Sequence, residues 1–370
     1  MTCKLTYVVS HPIQYQAPLL RKIAAEPDIQ LKVLFERVDE DHTYFDEGFS
    51  REISWNVPLT EGYDFARVDD CNLVAEITES DVVWLHGWQS KVMRTVLRDT
   101  MKHRIPTLMR GENCDMAMPD GRGIRGWAKR RFLYGIFLHC TAFLTIGSLN
   151  RAYYVNRGIS ENRLFSMPYA VDNEAFAEAA RNAESQKSEL RAELGIAEHE
   201  KVVLFAGKLI PRKRGDLLCA AMSHIASTTP AKLVIVGDGE TRRYLEQNAP
   251  EAIFTGFINQ RELPAFYALA DAFVLPSVKE PWGLAVNEAM ACGTAVIVSD
   301  EVGCGPDLVD DSVGRIFPAD DMEALAQAIS DVLADADAMG KRAQAKIAKW
   351  SFNEDIEGLR RALTEMELLT

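Results

Sequence analysis

The chain has 370 residues, 47% of them hydrophobic, and a formal net charge of −13 at pH 7. That size and apolar content suit two α/β domains of ordinary length. The acidic balance argues against general nucleic-acid binding, whose affinity comes mainly from Lys and Arg on phosphates, and no run of eighteen apolar residues predicts a membrane span.

Met1-Thr2-Cys3-Lys4 leads straight into a first predicted strand at about 4–9. It shows neither the apolar core nor the small-residue cleavage site of a signal peptide, so a cytoplasmic protein is expected. The seven cysteines form no C-x-x-C pair and read as reduced thiols, with no zinc site and no disulfide framework. The loop His11-Pro12-Ile13-Gln14-Tyr15-Gln16-Ala17-Pro18 follows the first strand. Further strands are predicted at about 30–35, 81–86, 105–109, 141–146 and 163–167, with helices at about 16–25, 89–101, 122–138 and 148–157. Between them, 36–64 has turn residues and aromatics without a sustained period, which predicts a loop-rich insertion.

Two strand ends in this half carry polar side chains. His86-Gly87-Trp88 closes DVVWL, and Arg110-Gly111-Glu112-Asn113 follows IPTLM. A histidine there either meets a substrate or relays a proton near neutral pH, or it hydrogen-bonds the scaffold. Glu112 with Arg110 reads equally as a base and its partner or as a simple ion pair. Residues 1–172 hold 21 basic and 22 acidic side chains, yet Lys102 to Arg131 holds eight basic against three acidic. Within it, GIRGWAKRRFLYGIFLHC interleaves Arg and Lys with aromatics, a composition suited to an anionic membrane surface and a lipid-linked or anionic acceptor. The favoured expectation is a core helix with its apolar stripe on the sheet and its Arg and Lys solvated.

After MPYAVDNEAF an Ala/Glu/Arg-rich stretch to about 199 predicts a linker followed by a helix, separating a domain at 1–172 from one at 190–350. In the second, KVVLFAG is a strand ending in Gly207, and its loop carries Lys208, Arg212, Lys213 and Arg214 before a helix from about Asp216. AKLVIVGDGE is another strand, closing in Gly237-Asp238-Gly239; AIFTGF is a third, and AFVLPSVKEPWG delivers Glu280. Short apolar strands alternating with longer helices predict a parallel sheet covered on both faces, with ligands beyond the carboxyl ends of its strands. Glu280 and Glu288 stand eight positions apart around Gly283, which opens a helical stretch. A glycine lets the backbone approach a ligand, and the helix's first N–H groups, at Leu284 and Ala285, suit an anion. Taken alone, two glutamates so spaced are more often solvated side chains at a buried helix start. A nucleotide-sugar draped over the turn would meet one carboxylate at each end.

The segments G-K-L-I-P-R-K at Gly207 to Lys213, V-G-D-G-E at Val236 to Glu240, E-P-W-G-L-A-V-N-E with A-x-x-C-G after it, and G-C-G-P-D-L-V at Gly303 to Val309 stand in one order and spacing. Over nearly the whole C-terminal half this pattern resembles the retaining glycosyltransferases of family four; the N-terminal half is a looser match. The resemblance implies an α/β GT-B fold: two Rossmann-like domains facing a central cleft, with the last helix, in 352–370, crossing back to the first. It implies transfer of a hexose-type sugar from a nucleoside-diphosphate sugar, UDP by default, to an acceptor hydroxyl in polysaccharide, glycolipid or natural-product glycosylation. Lys208 and Lys213 would balance the departing diphosphate, Glu288 would take the ribose and Glu280 the sugar, with Gly207 and Gly237 at the same donor site. His11 and Gln14 lie in the loop that closes over the reaction centre in the family. His86, Glu112 and Arg110 are the candidates on the acceptor side. No metal is expected, since no D-x-D pair has the right setting, and no cofactor, the donor being a co-substrate. Lys208 departs from a frequent Arg, Arg214 stands where a Gly is common, and the 11–18 loop lacks the usual glycines. A sugar-nucleotide epimerase and a non-catalytic nucleotide-sugar-binding protein remain open alternatives, and the expected location is cytoplasmic, with the inner face of the membrane if the basic helix binds there.

Overall fold

The computed structural model describes residues 2–38 and 43–369, so part of the expected insertion, 39–42, lies outside the described residues. In chain order the strands are β1 (Cys3–Val9), β2 (Ile29–Phe35), β3 (Thr43–Asp46), β4 (Arg51–Ser54), β5 (Asp64–Arg67), β6 (Val82–His86), β7 (Thr107–Arg110), β8 (Ala142–Thr145), β9 (Leu164–Ser166), β10 (Lys201–Ala206), β11 (Ala231–Val236), β12 (Ile253–Gly256), β13 (Ala272–Leu275), β14 (Ala295–Ser299) and β15 (Gly314–Phe317). Two compact units result: Met1–His42 with Pro58–Ala170 and Ser351–Thr370, and Thr43–Val57 with Val171–Trp350.

The first unit is built on a seven-stranded parallel sheet of order β5-β2-β1-β6-β7-β8-β9. β1 is buried at every position but Lys4, and β6 buries Val82 to Leu85, because helices cover both faces of a parallel sheet. The chain runs from β1 to β2 on one side and later returns to β6 on the other. A sheet changes direction at such a point, and the loops beyond the strand ends diverge there to leave room for a ligand. The helix Phe352–Glu365 belongs to this unit and packs on β8 and β9. A capping box of Ser351 and Glu354 starts it, and Phe352, Leu359 and Leu363 are buried. Burial of each stabilises by roughly 1.5–3 kcal/mol.

The second unit repeats the plan with a six-stranded parallel sheet, β12-β11-β10-β13-β14-β15. Its reversal lies between β10 and β13. Two segments depart from the expected boundaries. The predicted linker forms the helices Asn173–Ala183 and Lys187–Glu193, and Phe176 and Ala180 are buried within the second unit. The antiparallel hairpin of β3 and β4, expected within 1–172, packs with the second unit as well. Its aromatics decide this: Phe49 and Trp55 set their rings edge-on to Phe257, with centroids 5.1 and 5.9 Å away.

The basic helix is Gly123–Phe137. Only its C-terminal half fits the core expectation, with Leu133, Ile136 and Phe137 buried. Ile124 is 86% exposed and Trp127 62%, among exposed Arg122, Arg125, Arg130 and Arg131. Among the described residues, no helix is long and apolar enough to cross a membrane.

Candidate active site

In the second unit the predicted donor residues gather beyond the ends of β10, β11 and β13, on either side of the reversal. Gly207 follows β10 and Gly237 follows β11. A Cβ on Gly237 would lie 1.9 Å from the Gly207 carbonyl oxygen, so the two loops touch through backbone. After Gly207 come Lys208 and a 3-10 turn, Pro211–Lys213, which ends in left-handed Arg214 before the helix Gly215–Ile225. The Val278 N–H donates to the Arg212 carbonyl at 2.8 Å and ties this loop to the one after β13.

Glu280 lies five residues beyond the end of β13 and pairs as a parallel bridge with Val302. Its N–H donates to the Glu301 carbonyl, and its own carbonyl accepts from the Gly303 N–H. The carboxylate is buried, and Oε2 accepts from both Lys213 Nζ and Arg212 Nη1 at 2.7 Å. Burial alone would raise this carboxyl, but the two cations outweigh it and hold it below its ordinary value. Among the described residues, Oε1 takes no hydrogen bond. Gly283, at φ +102°, opens the helix Leu284–Ala291. Leu284 and Ala285 occupy its first turn, where backbone N–H groups lack intrahelical partners. One turn on, Glu288 Oε2 accepts from the buried Tyr267 hydroxyl at 2.7 Å. Burial pushes the Glu288 carboxyl up to about 7, against the hydrogen bond from Tyr267. Lys208 does not meet Glu280: its Nζ lies 2.8 Å from Asp46 Oδ1 on the β3–β4 hairpin.

In the first unit, the loops after β1, β6 and β7 carry the remaining candidates. Glu112 follows β7, and its Oε1 accepts from Tyr169 at 2.7 Å and Tyr15 at 3.3 Å. The two phenols lie 2.9 Å apart. Burial, with the Glu112 charge adding to it, raises both well above their ordinary range, so they remain neutral donors. Asn150 Nδ2 pins the loop by donating to the Gly111 and Asn113 carbonyls. His11 sits half-buried beside Ser10 Oγ at 2.8 Å, and Gln14 is half-buried in the same loop.

Two expectations on this side are corrected. Arg110 cannot grip an acceptor as the structure stands, because it is 1% exposed. Its Nη2 donates to the Met167 and Pro168 carbonyls and to Asp355 Oδ1 at 2.8 Å, locking β7 to the helix Phe352–Glu365. Nor does His86 titrate near neutrality. Burial, with the Arg110 charge adding to it, pushes it down to about 3, so it acts only as a neutral imidazole.

Arg212, Asp46, Tyr267, Tyr15 and Tyr169 complete these clusters, and none was assigned a site role from sequence. Arg212 was legible in principle, being adjacent to Lys213. The others come from distant elements that no local pattern connects. Among the described residues, no group of three or more His, Cys, Asp or Glu side chains is placed to hold a metal ion.

A family profile described as Glycosyl transferases group 1 matches residues 186–349. An uncharacterized glycosyltransferase of Methanocaldococcus jannaschii, MJ1607, is 40% identical over 124 residues, 32% of each chain. A GDP-mannose-dependent alpha-(1-6)-phosphatidylinositol monomannoside mannosyltransferase of Mycolicibacterium smegmatis is 31% identical over 183 residues, 46% of this chain and 47% of that protein. The chain thus spans half or less of the length of these relatives. Anabaena Alr3699/HepE, solved in complex with UDP, superposes with a TM-score of 0.74 at 16% identity, over 99% of this chain and all of that one. The fold is GT-B.

Proposed function

Because residues 186–349 match the glycosyl transferases group 1 profile, we propose that the chain belongs to that family and is a retaining glycosyltransferase that moves a hexose-type sugar from a nucleoside-diphosphate sugar to an acceptor hydroxyl. The observation that carries this reading is the buried Glu280 carboxylate, tied through one oxygen to Lys213 and Arg212 beside the Gly283 turn. A carboxylate held this way presents Oε1 to sugar hydroxyls. The adjacent cations and the Leu284 and Ala285 amides would balance charge on the departing diphosphate, usually the largest catalytic contribution in such transfers. Glu288 Oε1 would accept from ribose hydroxyls.

In the proposed reaction the bond from the anomeric carbon to the diphosphate oxygen breaks and the acceptor oxygen bonds to the same face. The acceptor proton passes to the departing phosphate, and the configuration is retained. Glu112 Oε2, on a carboxylate held by two tyrosines, is the proposed contact for the acceptor hydroxyl or the transferred sugar, with the neutral His86 imidazole, His11 and Gln14 as further hydrogen-bonding groups. No metal or cofactor enters the reading, since Lys208, Lys213 and Arg212 supply the positive charge. The Mycolicibacterium smegmatis relative is GDP-mannose-dependent and the solved neighbour binds UDP, so UDP and GDP are both candidate leaving groups. The acceptor is proposed to be lipid-linked or anionic and met at a membrane surface, on the strength of exposed Ile124 and Trp127 among arginines.

Incubation with a panel of UDP- and GDP-sugars and no acceptor tests the reading. Slow release of free sugar from one donor is expected of a transferase. Interconversion of donor sugars would make the protein an epimerase instead. An unaltered donor that still binds would make it a sensor.

A further inference from the structure

The hairpin of β3 and β4 puts an acidic side chain on a cation of the proposed donor site. Asp46 closes β3, and its Oδ1 accepts from the Gly48 and Phe49 N–H groups at 2.9 and 3.1 Å. The same carboxylate meets Lys208 Nζ at 2.8 Å through Oδ1 and 2.9 Å through Oδ2. Lys208 also lies 5.2 Å from the centre of the Phe49 ring. The tip sits directly on the strand ends: a Cβ on Gly239 would lie 2.8 Å from the Gly48 carbonyl oxygen. Arg51 anchors the other side of the turn, over the Phe257 ring at 5.2 Å and 4.0 Å from Asp238.

We propose that Asp46 competes with the donor's diphosphate for Lys208, so that the hairpin sets how tightly this site holds a nucleoside diphosphate. The inference rests on the reading of Lys208 as a diphosphate-binding group. Two turn amides fix the carboxylate, whereas the lysine ammonium rides a flexible four-carbon stem and carries three rotatable donors. Exchange of partner is therefore a movement of the lysine. A diphosphate brings more negative charge than one carboxylate and takes the ammonium. Asp46 then stands as a like charge near the bound phosphate and weakens the complex.

Calorimetric titration with UDP and with GDP of the unmodified protein, Asp46→Asn, Lys208→Ala and the double variant is the test. Asn keeps the Oδ1 that accepts from Gly48 and Phe49, so the turn persists. Asp46→Ser, which also caps such a turn, serves as a second variant. Asp46→Asn should bind the preferred nucleotide about threefold to tenfold more tightly. Lys208→Ala should bind more weakly, and the double variant should match Lys208→Ala. If Lys208→Ala weakens binding while both Asp46 variants bind as before or less tightly, the competition is wrong and Asp46 only positions the lysine. A gain that persists in the double variant also overturns it, since the effect would not pass through Lys208. If Lys208→Ala leaves affinity unchanged, the diphosphate reading of Lys208 fails, and the inference with it.

Discussion

Glu280, Glu288 and Glu112 share one arrangement: a single oxygen of each is bound by the protein, by two cations at Glu280, one phenol at Glu288 and two phenols at Glu112. Such a carboxylate is oriented without being fully satisfied, which suits a group that meets hydroxyls. Their electrostatics differ, and so do the tests. Glu288 is raised from its ordinary 4.5 to about 7, first by burial. Its stabilising contribution is present below 4.5 and is lost as pH rises through 7, about 1–2 kcal/mol at this half-buried position. Chemical denaturation from pH 4.5 to 8 should show a smaller loss in Glu288→Gln than in the unmodified protein, the remainder coming from Asp355, whose carboxyl burial also pushes up to about 7. Nucleoside diphosphate affinity should move the other way, strengthening from pH 6 to 8 as the carboxylate ionises, while Glu288→Gln binds roughly 10- to 100-fold more weakly with a flat profile. An equal pH dependence in both would exclude Glu288 from the ribose. Glu280→Gln should bind the free nucleoside diphosphate nearly normally and lose turnover, because its contact orients the reacting ring. Lys213→Ala should lower turnover by about 100-fold; full activity in a folded variant would remove its leaving-group role. Arg110 belongs to stability: Arg110→Met leaves Asp355 buried without its partner, and thermal unfolding should report a loss of about 3–5 kcal/mol.

Two elements carry surface the cores do not use. The helix Gly123–Phe137 buries Leu133, Ile136 and Phe137 yet turns Ile124, Trp127 and Phe132 outward among arginines. Each cation near an anionic bilayer contributes about 1 kcal/mol and is screened by salt. Sedimentation with phosphatidylserine vesicles should therefore occur at low salt, weaken on adding salt, and fall in Trp127→Ser with Arg130→Ser. No sedimentation at low salt would leave those side chains as solvated surface. The hairpin differs in that its aromatics have found a partner in Phe257. It is part of the second unit in space although it interrupts the chain of the first.

For the whole molecule, the two sheets reverse direction at equivalent places, between β1 and β6 and between β10 and β13. Polar side chains collect at both, as strand-end geometry requires. If the cations of the second unit replace a metal, EDTA should leave most transfer activity in place, and a strict requirement for Mn²⁺ or Mg²⁺ would overturn that role. Nuclear magnetic resonance of the freshly formed glycoside should show the anomeric configuration of the donor; inversion would rule out same-face attack.

Much of this was legible in the chain itself. Periodicity and glycine placement predicted β10, β11 and β13 and put Gly207, Lys213, Glu280 and Glu288 at their ends, because a parallel strand buried on both faces must be apolar and must end where polarity begins. β5, with three of its four residues exposed and none buried, had no such contrast and was not predicted. The sequence also marked Arg110, His86 and Lys208 as functional candidates, but burial and partners are properties of space. Arg110 is silenced by Asp355, 245 positions away; His86 is held neutral by its surroundings; and Lys208 is matched with Asp46, 162 positions away. Local residue type determined which groups stand at the strand ends. Only tertiary packing decided which carry charge, which are already paired and which keep an oxygen for a ligand, since desolvation and ion pairing depend on atoms that the chain brings together from far apart.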